Sequence, residues 1–262
     1  MIQKHILFLA AWAIAAIALF CSLPLFAADE QSSEGAEAGQ RLAALLRSQR
    51  TEDGEWKGTL KLRSHDRKTV VTVPVLGKVT ADGSGWRVIY LASATAGKGA
   101  EQLTVIHSTN GPNEYLYAQA PSPGAPLGEP KHLRGDEADI PLAGSDFWLS
   151  DLGFEFYHWP LQTKLRTEMR RGRVCYVLES ANPSPEHHSY SRVDTWIDRE
   201  SLEQNSGGPI QAEAYDWNNK IVKEFSLGSF KKVNGHWELK EMEISNRITG
   251  ARTRLEFDLD AK

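Results

Sequence analysis

Cysteine and positive charge are both scarce in this chain of 262 residues. It contains two cysteines, and its 30 lysine and arginine residues are outnumbered by 34 aspartate and glutamate residues. A nucleic-acid-binding protein usually carries an excess of basic residues, so the formal net charge of −4 argues against that class. With 41% hydrophobic and 24% charged residues, the composition is that of a folded globular protein and excludes a disordered or collagen-like chain.

Sequence motifs of the common enzyme classes are also absent. The chain has no HExxH, GxSxG, CxxC or phosphate-binding loop. Asp151, Glu155 and His158 have helical spacing and could form an acid–base group, but a charged helix face in solvent explains the same spacing. The neighbouring His187 and His188 would need a third ligand supplied by the fold in order to bind a metal ion. We therefore predict a protein that is not an enzyme and that uses no cofactor and no metal.

Residues 1–27 have the order of a secretory signal peptide. Lys4 precedes an apolar run of 15 residues at positions 6–20, and Pro24 follows before the small residue Ala27. The run is shorter than the roughly 20 residues that cross a bilayer, which argues against the alternative of an uncleaved membrane anchor. We predict cleavage after Ala27 and export of the remaining chain.

Removal of the signal peptide would leave one cysteine in the exported chain. Cys21 lies within the predicted leader, so Cys175 has no intrachain partner, and its apolar neighbours in the sequence predict a buried, unreactive thiol. Residues 28–37 are mostly acidic or small, and we expect them to form a flexible lead-in. Residues 38–262 are predicted to form a single domain.

The remaining pattern indicates one helix followed by antiparallel strands. Leu42, Leu45 and Leu46 have helical spacing within residues 38–50. From Gly54 onward, β-branched runs are separated by turn-forming sequences, which indicates hairpins. About ten or eleven strands are predicted. So many strands with so few helices predict a mainly β fold built on one large, curved antiparallel sheet, a barrel or half-barrel, because a flat sheet of that width is unfavourable.

Residues 147–159 are unusual because they contain six aromatic side chains. Ser145 and Asp146 can cap a short helix at the start of this segment. Two interpretations stay open: the helix fills the core, as aromatic stripes commonly do, or it forms a lid over a ligand cavity. The preceding segment, 120–140, is rich in proline and glycine, and we predict a loop there.

A series of short strings follows between Gly144 and Leu259. They are Gly144–Phe147 with Ser150–Leu152, Cys175–Glu179, Trp196–Asp198, Ala212–Asp216 with Lys223–Phe225, Lys231–Trp237, and Met242–Asn246 with Thr249–Gly250. In this order the strings resemble the outer-membrane lipoprotein-sorting protein family, the LolA-like group. The resemblance implies a LolA/LolB-like fold, which is an unclosed β-barrel with a helical lid.

The resemblance also implies a function. A member of this family is a periplasmic carrier whose apolar, concave cavity binds lipoprotein acyl chains or other lipid for sorting to the outer membrane. The expected partners are these lipids and an inner-membrane exporter, with no nucleic acid, and the carrier is expected to be a monomer. The alternative is a non-catalytic periplasmic interaction module that partners a membrane exporter and whose interior is filled by its own side chains.

Lipid binding would require apolar side chains on the lid and on the strands beneath it. No catalytic or metal-binding residue is assigned. A cavity beneath the lid would favour the carrier, and a filled interior would favour the interaction module. The candidate ligand-binding residues are Phe147, Trp148, Leu149, Leu152, Phe154, Phe156, Trp196 and Tyr215.

Overall fold

The computed structural model describes most of the chain after residue 24. The described residues are 25–49, 53–66, 68–82, 85–95, 97–109, 111–184, 189–204, 208–233 and 236–259. The predicted signal peptide, apart from Leu25–Ala27, and the pair His187–His188 lie outside these residues. In the part of the chain that is described, no helix is both long enough and apolar enough to cross a membrane.

One antiparallel sheet accounts for most of the secondary structure. Within the described ranges its thirteen strands are β1 (Gly54–Arg63), β2 (Val70–Asp82), β3 (Gly85–Ala92), β4 (Glu101–His107), β5 (Glu114–Gln119), β6 (Lys131–Leu133), β7 (Leu161–Arg170), β8 (Arg173–Ala181), β9 (Arg192–Asp198), β10 (Pro209–Tyr215), β11 (Ile221–Val233), β12 (His236–Asn246) and β13 (Arg252–Asp258). The helices of these ranges are α1 (Leu25–Ser48), α2 (Leu149–Leu152) and α3 (Arg199–Glu203), with 3₁₀ helices at Gly135–Ala138, Leu142–Gly144 and Glu155–His158.

Strand order follows the chain except at one junction. The order is β6-β5-β4-β3-β2-β1-β13-β12-β11-β10-β9-β8-β7, so among the strands of the described residues only β1 and β13 are neighbours that are distant in sequence. The sheet is not closed, because β6 and β7 are both edge strands. The predicted fold class, a mainly β protein with one large unclosed antiparallel sheet, is confirmed. The sequence did not indicate β6 within the proline-rich segment, because three residues are too few to show alternation.

The two faces of the sheet carry different side chains. We call the inner face the one on which α1 and residues 135–160, the lid segment, pack. Alternation predicts that Leu255 and Phe257 share a face. Both lie on the inner face, in the first of two hydrophobic clusters. This first cluster contains Leu60, Val73, Val75, Leu103, Val105, Tyr115, Ile244 and Leu255 from the sheet, with Leu142, Phe147, Leu149 and Leu152 from the lid. The second cluster contains Leu42, Ala43 and Leu46 from α1, Phe156 and Tyr157 from the lid, and Leu178, Tyr190, Val193, Ile197, Ala212, Ala214 and Val222.

The amino-terminal helix is longer than the sequence predicted. The helix expected within residues 38–50 is present, and Leu42 and Leu46 face the second cluster as their spacing predicts. However, α1 begins at Leu25, so residues 28–37 are helical and do not form a flexible lead-in. Alanine, glutamate and glutamine in this stretch favour helix, and the packing of the helix on β7 adds to that preference.

Two glycines allow α1 to approach the backbone of the edge strand β7. A Cβ atom at Gly39 would lie 2.5 Å from the carbonyl oxygen of Gln162, and one at Gly35 would lie 3.3 Å from the carbonyl oxygen of Lys164. The glycines are one helical turn apart and therefore lie on the same side of α1. An exposed edge strand is a site of unwanted strand pairing, and α1 covers this one.

We expect Gly39→Leu to destabilise the protein by about 2 kcal/mol, because the new side chain overlaps the backbone of Gln162 and forces α1 away from β7. Thermal or urea unfolding measures the loss. Ala36→Leu is the matched control, since Ala36 is exposed on the same helix. Equal stability of the two variants would show that α1 does not pack on β7 as described.

The predicted helix from Phe147 to Trp159 is interrupted. α2 has only four residues, and its N-cap is Trp148 instead of Ser145 or Asp146. Phe154 has a φ of 50°, in the left-handed region, and it separates α2 from the following 3₁₀ helix. Phe147 and Leu149 are both fully buried, although residues two apart lie on opposite sides of an α-helix. Burial of both side chains therefore requires an irregular backbone.

Candidate functional site

A narrow apolar crevice lies between the lid segment and strands β10 to β12. Its volume is about 20 Å³, which is room for about one water molecule and far less than an acyl chain needs. The lid's own side chains therefore fill the inner face in this structure. The walls include Phe147, Phe154, Phe156 and Tyr157 from the lid, and Ala212, Phe225, Leu227 and Met242 from the sheet.

The lid brings six of the eight candidate ligand-binding residues to the inner face. Aromatic contacts connect them to the sheet: the ring centroid of Phe156 lies 6.1 Å from that of Phe154 and 6.3 Å from that of Phe225 on β11. The six form one apolar surface against the sheet. They are Phe147, Leu149 and Leu152, buried in the first cluster, and Trp148, Phe154 and Phe156, which belong to or contact the second.

The other two candidates, Trp196 and Tyr215, lie on the outer face and not with the lid. The indole N–H of Trp196 donates to Glu168, and the hydroxyl of Tyr215 donates to Glu213 at 2.9 Å. The reason is strand alternation: Ile197 and Ala214, their neighbours in β9 and β10, are the residues that face the second cluster on the inner face.

Cys175 also lies outside the inner face. Its side chain is fully buried in a small cluster with Val177, Trp196 and Ile210. Burial raises the pKa of the thiol, which keeps it protonated and unreactive at neutral pH. The prediction of a buried thiol is confirmed.

A buried ion pair joins the lid to the sheet. The ammonium of Lys223 on β11 lies 3.1 Å from the carboxylate of Asp151 on α2, and both side chains are at most 5% exposed. The Tyr190 hydroxyl donates to the same carboxylate at 3.0 Å, and the backbone N–H of Trp148 donates to it at 2.8 Å. Burial raises the pKa of Asp151 and lowers that of Lys223, because desolvation disfavours both charges.

Two stacked aromatic rings lie beside the Lys223 ammonium. Its nitrogen lies 3.5 Å from the ring centroid of Trp148 and 5.3 Å from that of Tyr190, and the two rings stack with their centroids 4.6 Å apart. Sequence reasoning missed Lys223 and Tyr190. A usable signal existed for Lys223, since alternation along β11 places it on the same face as Phe225.

A second group of buried polar residues holds the far end of the lid. The Tyr115 hydroxyl donates to Glu155 at 2.9 Å, and the Asn113 amide donates to the carbonyl oxygen of Gly153 at 2.8 Å. Burial raises the pKa of Glu155 to about 7. It also raises the pKa of Asp139 to about 6, although the Ser150 hydroxyl donates to that carboxylate.

The three residues considered as an acid–base group have separate partners. Asp151 is paired with Lys223, and Glu155 accepts from Tyr115. Burial lowers the pKa of His158 to about 4, so its imidazole is neutral at neutral pH. Among the described residues, no three histidine, cysteine, aspartate or glutamate side chains are arranged to hold a metal ion.

Three solved structures are similar to this chain in overall fold. A putative outer membrane lipoprotein-sorting protein domain from Vibrio parahaemolyticus is 19% identical, with a TM-score of 0.66 over 85% of this chain and 91% of that chain. A LolA superfamily protein from Nitrosomonas europaea is 15% identical, with a TM-score of 0.58 over 84% of this chain and 91% of that chain. A DUF1329 family protein from Desulfovibrio piger is 17% identical, with a TM-score of 0.65 over 86% of this chain and 91% of that chain.

These similarities define the class of protein as one with a LolA-like fold, which confirms the resemblance seen in the sequence at the level of fold. A family model described as "Uncharacterized protein" matches residues 84–259, more than half of the chain, and the chain belongs to that family. No curated protein matches the chain.

Proposed function

We propose that this protein is a periplasmic carrier that binds the acyl chains of lipoproteins or another lipid between the lid segment and the inner face of the sheet. Binding involves no covalent step. The observation that carries the proposal is the composition of the lid, which fills the inner face of an open LolA-like sheet with apolar side chains that cargo could replace.

In such an exchange, the free energy lost when the lid leaves the sheet is offset by the free energy gained when cargo is buried. Moving the lid exposes apolar surface of the lid and the sheet, while each methylene of cargo that enters contributes about 0.8 kcal/mol. Cargo therefore replaces the contacts that the lid gives up, and binding stays reversible enough for delivery to a second protein.

The lid can move without disrupting the sheet. Backbone groups of the lid hydrogen-bond to one another, as between the Leu142 N–H and the Phe147 carbonyl at 3.0 Å and between the Leu149 N–H and the Ile140 carbonyl at 3.0 Å. Its hydrogen bonds with the sheet use side chains of the sheet strands. The Thr253 hydroxyl on β13 donates to Asp146 at 2.9 Å, and the Ala143 N–H donates to Glu101 on β4 at 2.7 Å.

The location and partners belong to the same proposal. The predicted signal peptide supports export to the periplasm, and a carrier there takes its cargo from an inner-membrane exporter and releases it to an acceptor. We propose that the carrier acts as a monomer. The second candidate function, an interaction module for a membrane exporter, is favoured by the filled inner face and the small volume of the crevice.

We expect a disulfide between the lid and the sheet to abolish uptake of a fluorescent palmitate analogue. Asp146→Cys with Thr253→Cys, in a Cys175→Ser background, replaces two side chains that are in direct contact. The oxidised protein holds the lid closed and should not bind, whereas reduction should restore binding. Fluorescence titration before and after reduction makes the measurement.

A second cysteine pair is the matched control for this experiment. Asp139→Cys with Ser150→Cys replaces two side chains in contact within the lid, so its disulfide does not tie the lid to the sheet. This variant should bind the probe in both redox states. Equal binding by the oxidised and reduced forms of the Asp146–Thr253 pair would show that cargo does not enter beneath the lid, and a lack of binding by every form would favour the interaction module.

A further inference from the structure

Lys223 lies on the inner face of the sheet, where its ammonium is paired with a carboxylate of the lid. Its side chain is 5% exposed and reaches beneath the lid, where the ammonium lies beside the stacked rings of Trp148 and Tyr190. Phe225 follows two residues later on the same strand face and lines the apolar crevice. Positions two apart in a strand are separated by roughly 7 Å, so the backbone of Lys223 lies that far along β11 from Phe225 in the wall of the crevice.

The negative charges that neutralise Lys223 come from the lid. The carboxylates that act most strongly on it are Asp151, Asp139 and Asp146, and all three lie within residues 135–160. Asp151 is in direct contact, while Asp139 accepts from Ser150 and Asp146 accepts from Thr253. A lid that moves away therefore removes the counter-ions of Lys223 together with the Trp148 ring.

A lysine left in this position has lost its ion pair and faces the space that the lid occupied. When an acyl chain fills that space, the ammonium again needs a counter-ion, because an uncompensated buried charge is strongly unfavourable. The Tyr190 hydroxyl, which donates to Asp151 in the closed state, is not part of the lid and would stay beside Lys223. Together these two groups offer a charged donor and a neutral donor to an incoming anion.

We propose that Lys223 and Tyr190 bind the anionic end of the cargo, a carboxylate or phosphate attached to an acyl chain that runs along Phe225, and that Asp151 occupies the place of this anion while the lid is closed. This inference rests on the proposed carrier function and, of its two cargo classes, selects a lipid with a free carboxylate or phosphate, because the acyl chains of a lipoprotein are joined through neutral esters and amides. It also gives the closed lid a direct role, since Asp151 competes with cargo for the same ammonium.

Binding of three probes that differ only in the polar end tests the proposal. Palmitate, hexadecyl phosphate and the neutral hexadecanol are titrated against the full exported chain by displacement of a fluorescent fatty acid. We expect the wild-type protein to prefer both anions over hexadecanol by at least roughly tenfold, because a hydrogen bond to a charged group is worth that much or more. A preference for only one anion would identify the carboxylate or the phosphate as the natural group.

Variants then assign the preference to the ion pair. Lys223→Met should bring the ratio of hexadecanol affinity to palmitate affinity close to one. Asp151→Asn should strengthen palmitate binding by roughly tenfold, since it removes the competing carboxylate. Lys164→Met is the matched control, because Lys164 also lies over an aromatic ring, that of Tyr176 at 4.2 Å, but away from the lid carboxylates; its ratio should equal that of the wild-type protein.

The outcomes separate this inference from the function on which it rests. Equal binding of all three probes, with a ratio unchanged in Lys223→Met, would overturn the role of Lys223 and leave the carrier intact. No binding of any probe would overturn both. If Lys223→Met does not fold, Lys223→Met with Asp151→Asn removes both buried charges, and Asp151→Asn alone still tests whether the aspartate competes with cargo.

Discussion

Replacing Phe147 with alanine is expected to lower the free energy of unfolding by about 3–5 kcal/mol, the usual loss for a fully buried phenylalanine. Its side chain is 1% exposed and packs in the first cluster with residues of β1, β2 and β13. The loss has two parts, the transfer energy of the ring and the cavity that remains, because the surrounding sheet cannot collapse into the space. Urea unfolding at neutral pH measures it.

Leu161→Ala is the control for this variant, since Leu161 is 55% exposed on the edge strand β7. An apolar truncation at an exposed site should change stability by less than about 0.5 kcal/mol. A loss at Phe147 that is no larger than the loss at Leu161 would contradict the burial described here.

Glu155→Gln is expected to leave stability unchanged near pH 4 and to raise it by about 3 kcal/mol near pH 8. Burial raises the pKa of Glu155 to about 7 in the folded protein, whereas an unfolded glutamate titrates near about 4.3. Between these values the folded state binds more protons than the unfolded state, so the contribution of Glu155 falls as pH rises through this interval. Glutamine carries no charge at any pH and still accepts from Tyr115.

The difference between the two proteins is the quantity to measure. Burial lowers the pKa of His107 to about 3 and that of His158 to about 4, and these neutral imidazoles oppose the carboxyl effect, since stability is lost as pH falls below the ordinary histidine value. Their contribution is common to wild type and Glu155→Gln and cancels in the difference. A difference that does not change between pH 4 and pH 8 would show that Glu155 titrates normally and is in contact with water.

Local pattern predicted the class of this protein because hydrophobic alternation is a property of neighbouring residues. The strand faces around Leu255 and Phe257, the helix at Leu42 to Leu46 and the burial of Cys175 were all predictable, since each depends on a few adjacent positions. The order of short strings between Gly144 and Leu259 indicated the family resemblance, and the resemblance in turn predicted that the sheet is open.

Tertiary structure decided which residues meet. The helix is interrupted at Phe154 because the lid segment packs along the inner face of the sheet instead of continuing as a regular helix. The residues around Phe154 contain no sequence signal that predicts this packing. Trp196 and Tyr215 were candidate ligand-binding residues, but alternation along β9 and β10 places their side chains on the outer face. Lys223 and Asp151 are 72 residues apart and form one ion pair, because only the folded sheet brings β11 beneath α2. A contact between residues so distant in the chain leaves no periodic trace in the sequence, and for this reason the candidate site had to come from the three-dimensional structure.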